Sequence, residues 1–161
     1  MKETNAVVDL RRNDNMRIST KARYALRALI ELARRERNGP TSIKLISRRQ
    51  GISPTYLNQL MLKLRKAGLV KSVKGPGGGF LLAKPAKKIR VMDVLSAIGE
   101  LLPPVPCLQK GASSTCKRQK SCPTRPLWKL MWNRIENNLR AVTIEMLCSG
   151  EIEIEPEEGL Y

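Results

Sequence analysis

The sequence contains no histidine, and its aromatic residues are only one Phe, two Trp and three Tyr. The first absence removes the usual general base near neutral pH and the commonest nitrogen ligand of metals. With no nucleophile–base pair and no GxxxxGK[ST] nucleotide loop either, the chain does not read as an enzyme. The second absence means that Leu, Ile, Val and Ala must fill the core. Acids are scarce too: 14 Asp and Glu stand against 30 Lys and Arg, for a net charge of +16. No stretch approaches the apolar length of a membrane span. Met1–Asn15 lacks the apolar core of a secretory signal and reads as a disordered extension, so a cytoplasmic protein is expected.

What is present is unevenly placed. Between Met16 and Arg90, 19 Lys and Arg face two acids, Glu31 and Glu36. Such a segment repels itself, and its natural partner is a polyanion, with nucleic acid the leading class. Glu151–Tyr161 instead carries five Glu and no base, and is expected to be disordered. A length of 161 residues suits one domain with one appended element.

Ser19 or Thr20 can cap a first helix carrying Tyr24, Ala25, Leu26, Ala28, Leu29, Ile30, Leu32 and Ala33, which Asn38-Gly39-Pro40 ends. Thr41 or Ser42 caps a short second helix with Ile43, Leu45 and Ile46 as its apolar face. Gln50-Gly51-Ile52 makes the turn. Ser53-Pro54 opens a third helix, the serine as cap and the proline at its first position. Its apolar residues Tyr56, Leu57, Leu60, Met61 and Leu64 keep helical spacing as far as Gly68.

Two short helices joined by a glycine turn form a helix-turn-helix, whose second helix enters the DNA major groove. Ser53, Thr55, Tyr56, Asn58 and Gln59 are suited to base edges and phosphates there, and Asn or Gln pairs bidentately with adenine. Lys63, Arg65 and Lys66 suit the phosphate backbone. Leu69–Val73 and Phe80–Ala83 read as two strands around Lys74-Gly75-Pro76-Gly77-Gly78-Gly79. A tip with one cation and almost no side chains can approach a phosphate or the minor groove. The fold class expected is therefore mainly α, a winged helix-turn-helix with a two-stranded wing.

Val91–Leu102 resumes helical spacing until Pro103-Pro104. A long helix over 126–148 then carries Leu127, Leu130, Met131, Ile135, Leu139 and Val142 on one stripe, which a twin subunit would bury. Between them, Cys107, Cys116 and Cys122 lie in a lysine-rich loop with the spacing C-x8-C-x5-C. Thiolates are soft donors for iron–sulfur clusters or zinc, and Lys110, Lys117, Arg118 and Lys120 should favour thiolate formation. The spacing is looser than that of zinc ribbons or bacterial ferredoxins, so iron–sulfur, zinc and metal-free redox thiols all stay open. The fourth cysteine, Cys148, reads as a core thiol.

Several stretches resemble the Rrf-type winged helix-turn-helix transcription regulators, the IscR / NsrR / CymR family. They are Met16–Ala25, Arg49–Ser53, Tyr56-Leu57, Leu64–Val70 and Gly75–Leu82, and the similarity runs from about Met16 to Cys148. The resemblance implies a homodimer that binds a near-palindromic operator in double-stranded DNA. It implies a DNA-binding set of Arg17, Ser19, Ser53, Thr55, Tyr56, Asn58, Gln59, Lys63, Lys74, Gly75, Gly77 and Gly78. It also implies an iron–sulfur cluster (2Fe–2S or 4Fe–4S) on Cys107, Cys116 and Cys122, sensing cluster status, redox state or nitric oxide. The organisation expected is an extension over 1–15, a winged domain over 16–102 (helix-turn-helix about 43–66, wing about 69–83), a cysteine loop over 103–125, a dimerisation helix over 126–148 and an acidic tail over 149–161.

Departures from the family pattern matter. Some members complete the cluster with a histidine three residues after the last cysteine, where this chain has Arg125. Others use an aspartate of the first helix, where it has Arg23. Arginine offers no free lone pair, so the fourth ligand is open between an acid of either subunit, Cys148 and a small exogenous group. Asn58 stands where a member has Glu, and Lys74 replaces an arginine of the wing. The rival reading is a basic RNA-binding protein that shares the charge but not sequence preference.

Overall fold

A computed structural model describes residues 18–101, 103–109 and 116–152. The expected contact Arg17, the cation Lys110, the extension over 1–15 and most of the acidic tail lie outside the described residues. The helices are α1 (Thr20–Arg34), α2 (Ile43–Gln50), α3 (Pro54–Lys66), α4 (Val91–Ile98), α5 (Arg125–Ala141) and α6 (Ile144–Ser149). The strands are β1 (Val70–Val73) and β2 (Gly79–Leu82), and short 3-10 turns occupy Glu36–Asn38, Ala86–Lys88 and Pro106–Leu108.

Local chemistry explains most boundaries. The Ala22 amide donates to Ser19 Oγ at 3.1 Å and the Leu45 amide to Ser42 Oγ at 3.2 Å, capping α1 and α2. Gly51, at φ 63°, takes the left-handed conformation that ends α2. Ser53 differs from expectation: its side chain makes no cap hydrogen bond. Pro54 starts α3 instead, because its fixed φ already suits a first helical turn.

Ala22, Ala25 and Ala28 are buried along α1, and their small side chains let neighbouring elements approach closely. Leu29, Ile46, Leu57, Leu60, Met61, Leu64, Val94 and Ile98 fill the core around it, and Phe80 and Leu82 cover it from β2. The strands pair antiparallel, from Val70 opposite Leu82 to Val73 opposite Gly79. Thr41 adds a bridge to the far side of β2: its amide and the Phe80 amide each donate to the other's carbonyl at 2.9 Å. A Cβ at Gly79 would collide with the Thr41 carbonyl, so only glycine permits this approach.

Two expected helices are shorter than their periodicity suggested. The segment Val91–Leu102 is helical only to Ile98, because Gly99 at φ 74° terminates it before the two prolines are reached. The helix expected over 126–148 is broken at Val142, which is extended (φ −81°, ψ 127°). Here tertiary hydrogen bonding overrides helical periodicity. The Val91 amide donates to the Val142 carbonyl and the Ile144 amide to the Ile89 carbonyl, each at 2.9 Å. Thr143 then caps α6, whose first residue, Ile144, is fully buried in the winged domain's core.

Helix α5 is the opposite case. None of its residues is fully buried, and Leu127, Leu130 and Met131 are 50%, 53% and 43% exposed. The expected apolar stripe therefore divides: Val142 leaves the helix, while the Leu127–Met131 end stays open. Helix α6 thus belongs to the domain core, and Ile144→Ala should cost about 2–5 kcal/mol in urea unfolding. A loss below about 1 kcal/mol would detach α6 from the cooperative unit.

Candidate nucleic-acid interface and cysteine loop

Burial of Leu57, Leu60, Met61 and Leu64 fixes which face of α3 turns outward. Thr55, Asn58, Gln59, Lys63 and Lys66 lie exposed on it, with Ser53 exposed at its head. Tyr56 sits differently: it is half-buried, its ring edge-on to Tyr24 with centroids 6.1 Å apart. Its ring packs against the first helix rather than standing free on the outward face. Leu62, outside the apolar spacing of α3, is 38% exposed on the same outward face. On a recognition helix it is suited to a thymine methyl group.

The wing carries Lys74 at an exposed tip. Gly75 and Gly77 have φ of 97° and 76°, and the Gly78 amide donates to the Gly75 carbonyl at 2.9 Å. A side chain at Gly78 would strike the backbone of the turn itself. At the wing's base, Arg65 Nη1 donates to Ser72 Oγ at 3.3 Å, tying α3 to β1. Ser19 caps α1, and nearby Lys21 Nζ pairs with Glu100 Oε1 at 2.6 Å. Lys21 first, then Ser19, holds the Glu100 carboxyl below the ordinary carboxylate range.

Cys107 lies in the Pro106–Leu108 turn, Cys116 is exposed, and Cys122 is half-buried just before α5; all three are free thiols. The side-chain amide of Gln119 donates to the Cys107 carbonyl at 3.4 Å, which connects the two ends of the loop. The Cys122 sulfur lies 3.3 Å from Thr124 Oγ1. This hydroxyl is the first cause holding the Cys122 thiol below its usual range; backbone amides assist, and Arg118 contributes least. Loop cations are the activators that the composition suggests, but at Cys122 hydrogen bonds lead, since water screens exposed cations.

Cys148 differs in kind. It packs against the core from α6, its thiol directed to the Ile30 carbonyl at 3.8 Å, and burial pushes it up. The expectation of a core thiol agrees with this position.

The donor chemistry of the loop suits a soft metal centre, but its present arrangement is incomplete. Among the described residues, no group of three or more His, Cys, Asp or Glu side chains is placed to hold a metal ion. Arg125 begins α5 with its Nε buried and without a hydrogen-bond partner among the described residues. It lines a cleft of about 810 Å³ between α4, the loop and α5, with Cys107, Gln119, Lys129, Trp132 and Glu136 also on its wall. The sequence pattern gave no sign of this cleft, because its walls come from three separate segments.

A helix-turn-helix with an outward polar face, followed by a glycine-tipped hairpin, is a DNA-binding winged helix. Residues 18–150 match the family Rrf2, an iron-dependent transcriptional regulator. The chain belongs to the Rrf2 family of transcriptional regulators. It is 41% identical over 136 residues to the HTH-type transcriptional regulator IscR of Escherichia coli (strain K12 / DH10B), covering 84% of this chain and 82% of that one. Among solved structures, CymR (YrzC), the global cysteine regulator of B. subtilis, is 34% identical with a TM-score of 0.68, covering 86% of this chain and all of the other. IscR of T. potens is 32% identical with a TM-score of 0.68, covering 90% and 95%. An oxidized form of Staphylococcus aureus CymR is 32% identical with a TM-score of 0.65, covering 87% of this chain and 100% of the other. These relatives are named as regulators, not as enzymes. No helix among the described residues is long and apolar enough to cross a membrane.

The contrast between Cys122 and Cys148 is measurable. At pH 7.5 iodoacetamide should modify Cys122 faster than Cys148, because a lowered pKa leaves a larger thiolate fraction. Peptide mass spectrometry over a time course gives the order, and faster labelling of Cys148 would contradict it.

Proposed function

We propose that this regulator acts as a homodimer on a near-palindromic operator and is controlled by an iron–sulfur cluster bound at Cys107, Cys116 and Cys122. The observation that carries the DNA reading is the outward face of α3 beside the Lys74 wing. Asn58 and Gln59 would read base edges, Ser53, Thr55 and the Tyr56 hydroxyl would position the helix head, and Lys63 and Lys74 would meet phosphates. Ser19 at the start of α1, and the backbone of Gly75, Gly77 and Gly78 in the wing, complete the described contact set. The open Leu127–Met131 face of α5 supports dimerisation, since two recognition helices must be held about one DNA turn apart. Such a protein works beside the chromosome, in the cytoplasm.

For the cluster, three free thiols between winged domain and α5 support the reading in a family described as iron-dependent. A bound cluster would supply a centre open to attack by oxygen or nitric oxide at its least protected iron. The chain's own part is to present three thiolates, to offset their charge with Lys117, Arg118 and Lys120, and to leave the fourth position to another donor. The lowered thiol of Cys122 favours a second reading, a metal-free thiol switch, and zinc is a third.

Anaerobic purification followed by an absorption spectrum and iron, sulfide and zinc assays separates these readings. Iron and sulfide are expected, lost in Cys107→Ala, Cys116→Ala and Cys122→Ala but retained in Cys148→Ala. A colourless protein that stays free of iron after reconstitution would end the cluster reading, and bound zinc would redirect it.

DNA recognition is tested separately by binding to a duplex enriched from a random pool and to its scrambled counterpart. Asn58→Ala should lose about 1–3 kcal/mol of discrimination. Lys74→Ala should weaken both duplexes alike and reduce the salt slope by about one per subunit. Equal binding of the unaltered protein to every duplex and to RNA would sink operator recognition.

A further inference from the structure

We infer that Glu31 is a positioning residue for operator recognition: a buried carboxylate that sets the recognition helix without touching DNA. The inference rests on the reading of α3 as the DNA-reading helix. Glu31 is 5% exposed on α1, in a basic segment where acids are rare. Burying a carboxylate is costly unless it is paired and hydrogen-bonded. Here both oxygens are engaged: Arg49 Nη1 donates to Oε1 at 3.2 Å, and Gln50 Nε2 donates to Oε2 at 3.1 Å.

The pairing continues beyond Glu31. Arg27 Nε donates to the Gln50 side-chain carbonyl at 2.9 Å, and Arg27 Nη2 donates to the Gln50 backbone carbonyl at 2.6 Å. That backbone carbonyl belongs to the last residue of α2, where a helix leaves acceptors unsatisfied. One glutamine thus both receives and donates, and the residue before the Gly51 turn is fixed to α1 through three hydrogen bonds with Glu31 and Arg27. The Arg27 guanidinium lies 5.7 Å from the centroid of Tyr24, whose ring meets Tyr56 in the first turn of α3. The chain Glu31–Gln50–Arg27–Tyr24–Tyr56 therefore runs from the first helix to the head of the recognition helix.

Apolar packing resists separation of helices but is weakly directional. Hydrogen bonds with fixed partners add direction, and a buried carboxylate with both oxygens satisfied selects one arrangement, while the Arg27 and Arg49 ends of the network lie exposed. Glu31 also draws the Arg49 guanidinium back toward α1 and offsets its charge. The network should therefore act on sequence discrimination rather than on phosphate attraction, which depends on exposed cations.

The test uses anaerobically purified full-length protein, a duplex enriched by it from a random pool and a scrambled duplex of equal length. Glu31→Gln should bind the enriched duplex about tenfold more weakly or worse, with scrambled binding within about twofold and a salt slope not reduced. Gln50→Ala, at a half-buried position less prone to misfolding, should show the same loss of ratio. Ile98→Val, a core change away from this network, should lower the melting temperature but preserve the ratio. The proposal is overturned if Glu31→Gln and Gln50→Ala keep the ratio, or if both duplexes weaken together. It is equally overturned if Ile98→Val loses the ratio as they do. Absence of any preference in the unaltered protein would instead overturn the DNA-reading assignment, and this inference with it.

Discussion

The structure depends on the packing of other elements around α1. Its alanines at 22, 25 and 28 are buried with Leu29 and Leu32, so one helix lies at the centre of the winged domain. Helices α2, α3, α4 and α6 and strand β2 all rest against it. Small side chains are required on such a helix, since a larger residue would push several neighbours apart at once. The same helix carries Glu31 toward the helix-turn-helix and the Ile30 carbonyl toward Cys148 on α6. Packing and polar positioning thus share one element.

Charge is the second constraint. The winged domain's cations lie mostly on its surface, where a polyanion can meet them. The outward face of α3 mixes Asn58 and Gln59 with Lys63 and Lys66, so groups able to make directional hydrogen bonds stand beside cations. Among the acids of the winged domain, Glu31 and Glu100 each pair with a cation: Arg49 for the first and Lys21 for the second.

Much of the fold was legible because it rests on short-range rules. Ser19 and Ser42 cap helices, Gly51 makes the turn, and the apolar spacing of α3 fixes its buried face. The glycine run likewise gives the wing. The breaks were less visible. Gly99 ends α4 before the prolines, and Val142 leaves the helical path because its carbonyl meets Val91, a residue 51 positions earlier in the chain. At the site, Tyr56 is half-buried against Tyr24 and Leu62 is exposed for a similar reason: exposure depends on what packs behind the helix. Cys122 shows the same limit, since Thr124 perturbs it more than the cations that composition emphasised.

By itself the sequence determined the class of architecture, the positive surface, and the thiol donors without a histidine to join them. Periodicity, caps and charge act over a few residues, so they are written locally. Only the tertiary structure decided that α6 returns to the core while α5 keeps an open apolar face, and that a cleft forms beside Cys107. It also decided that Glu31 of α1 meets Arg49 and Gln50 at the end of α2. These features require groups far apart in the chain to meet, and their partners are set by three-dimensional packing rather than by spacing along the sequence.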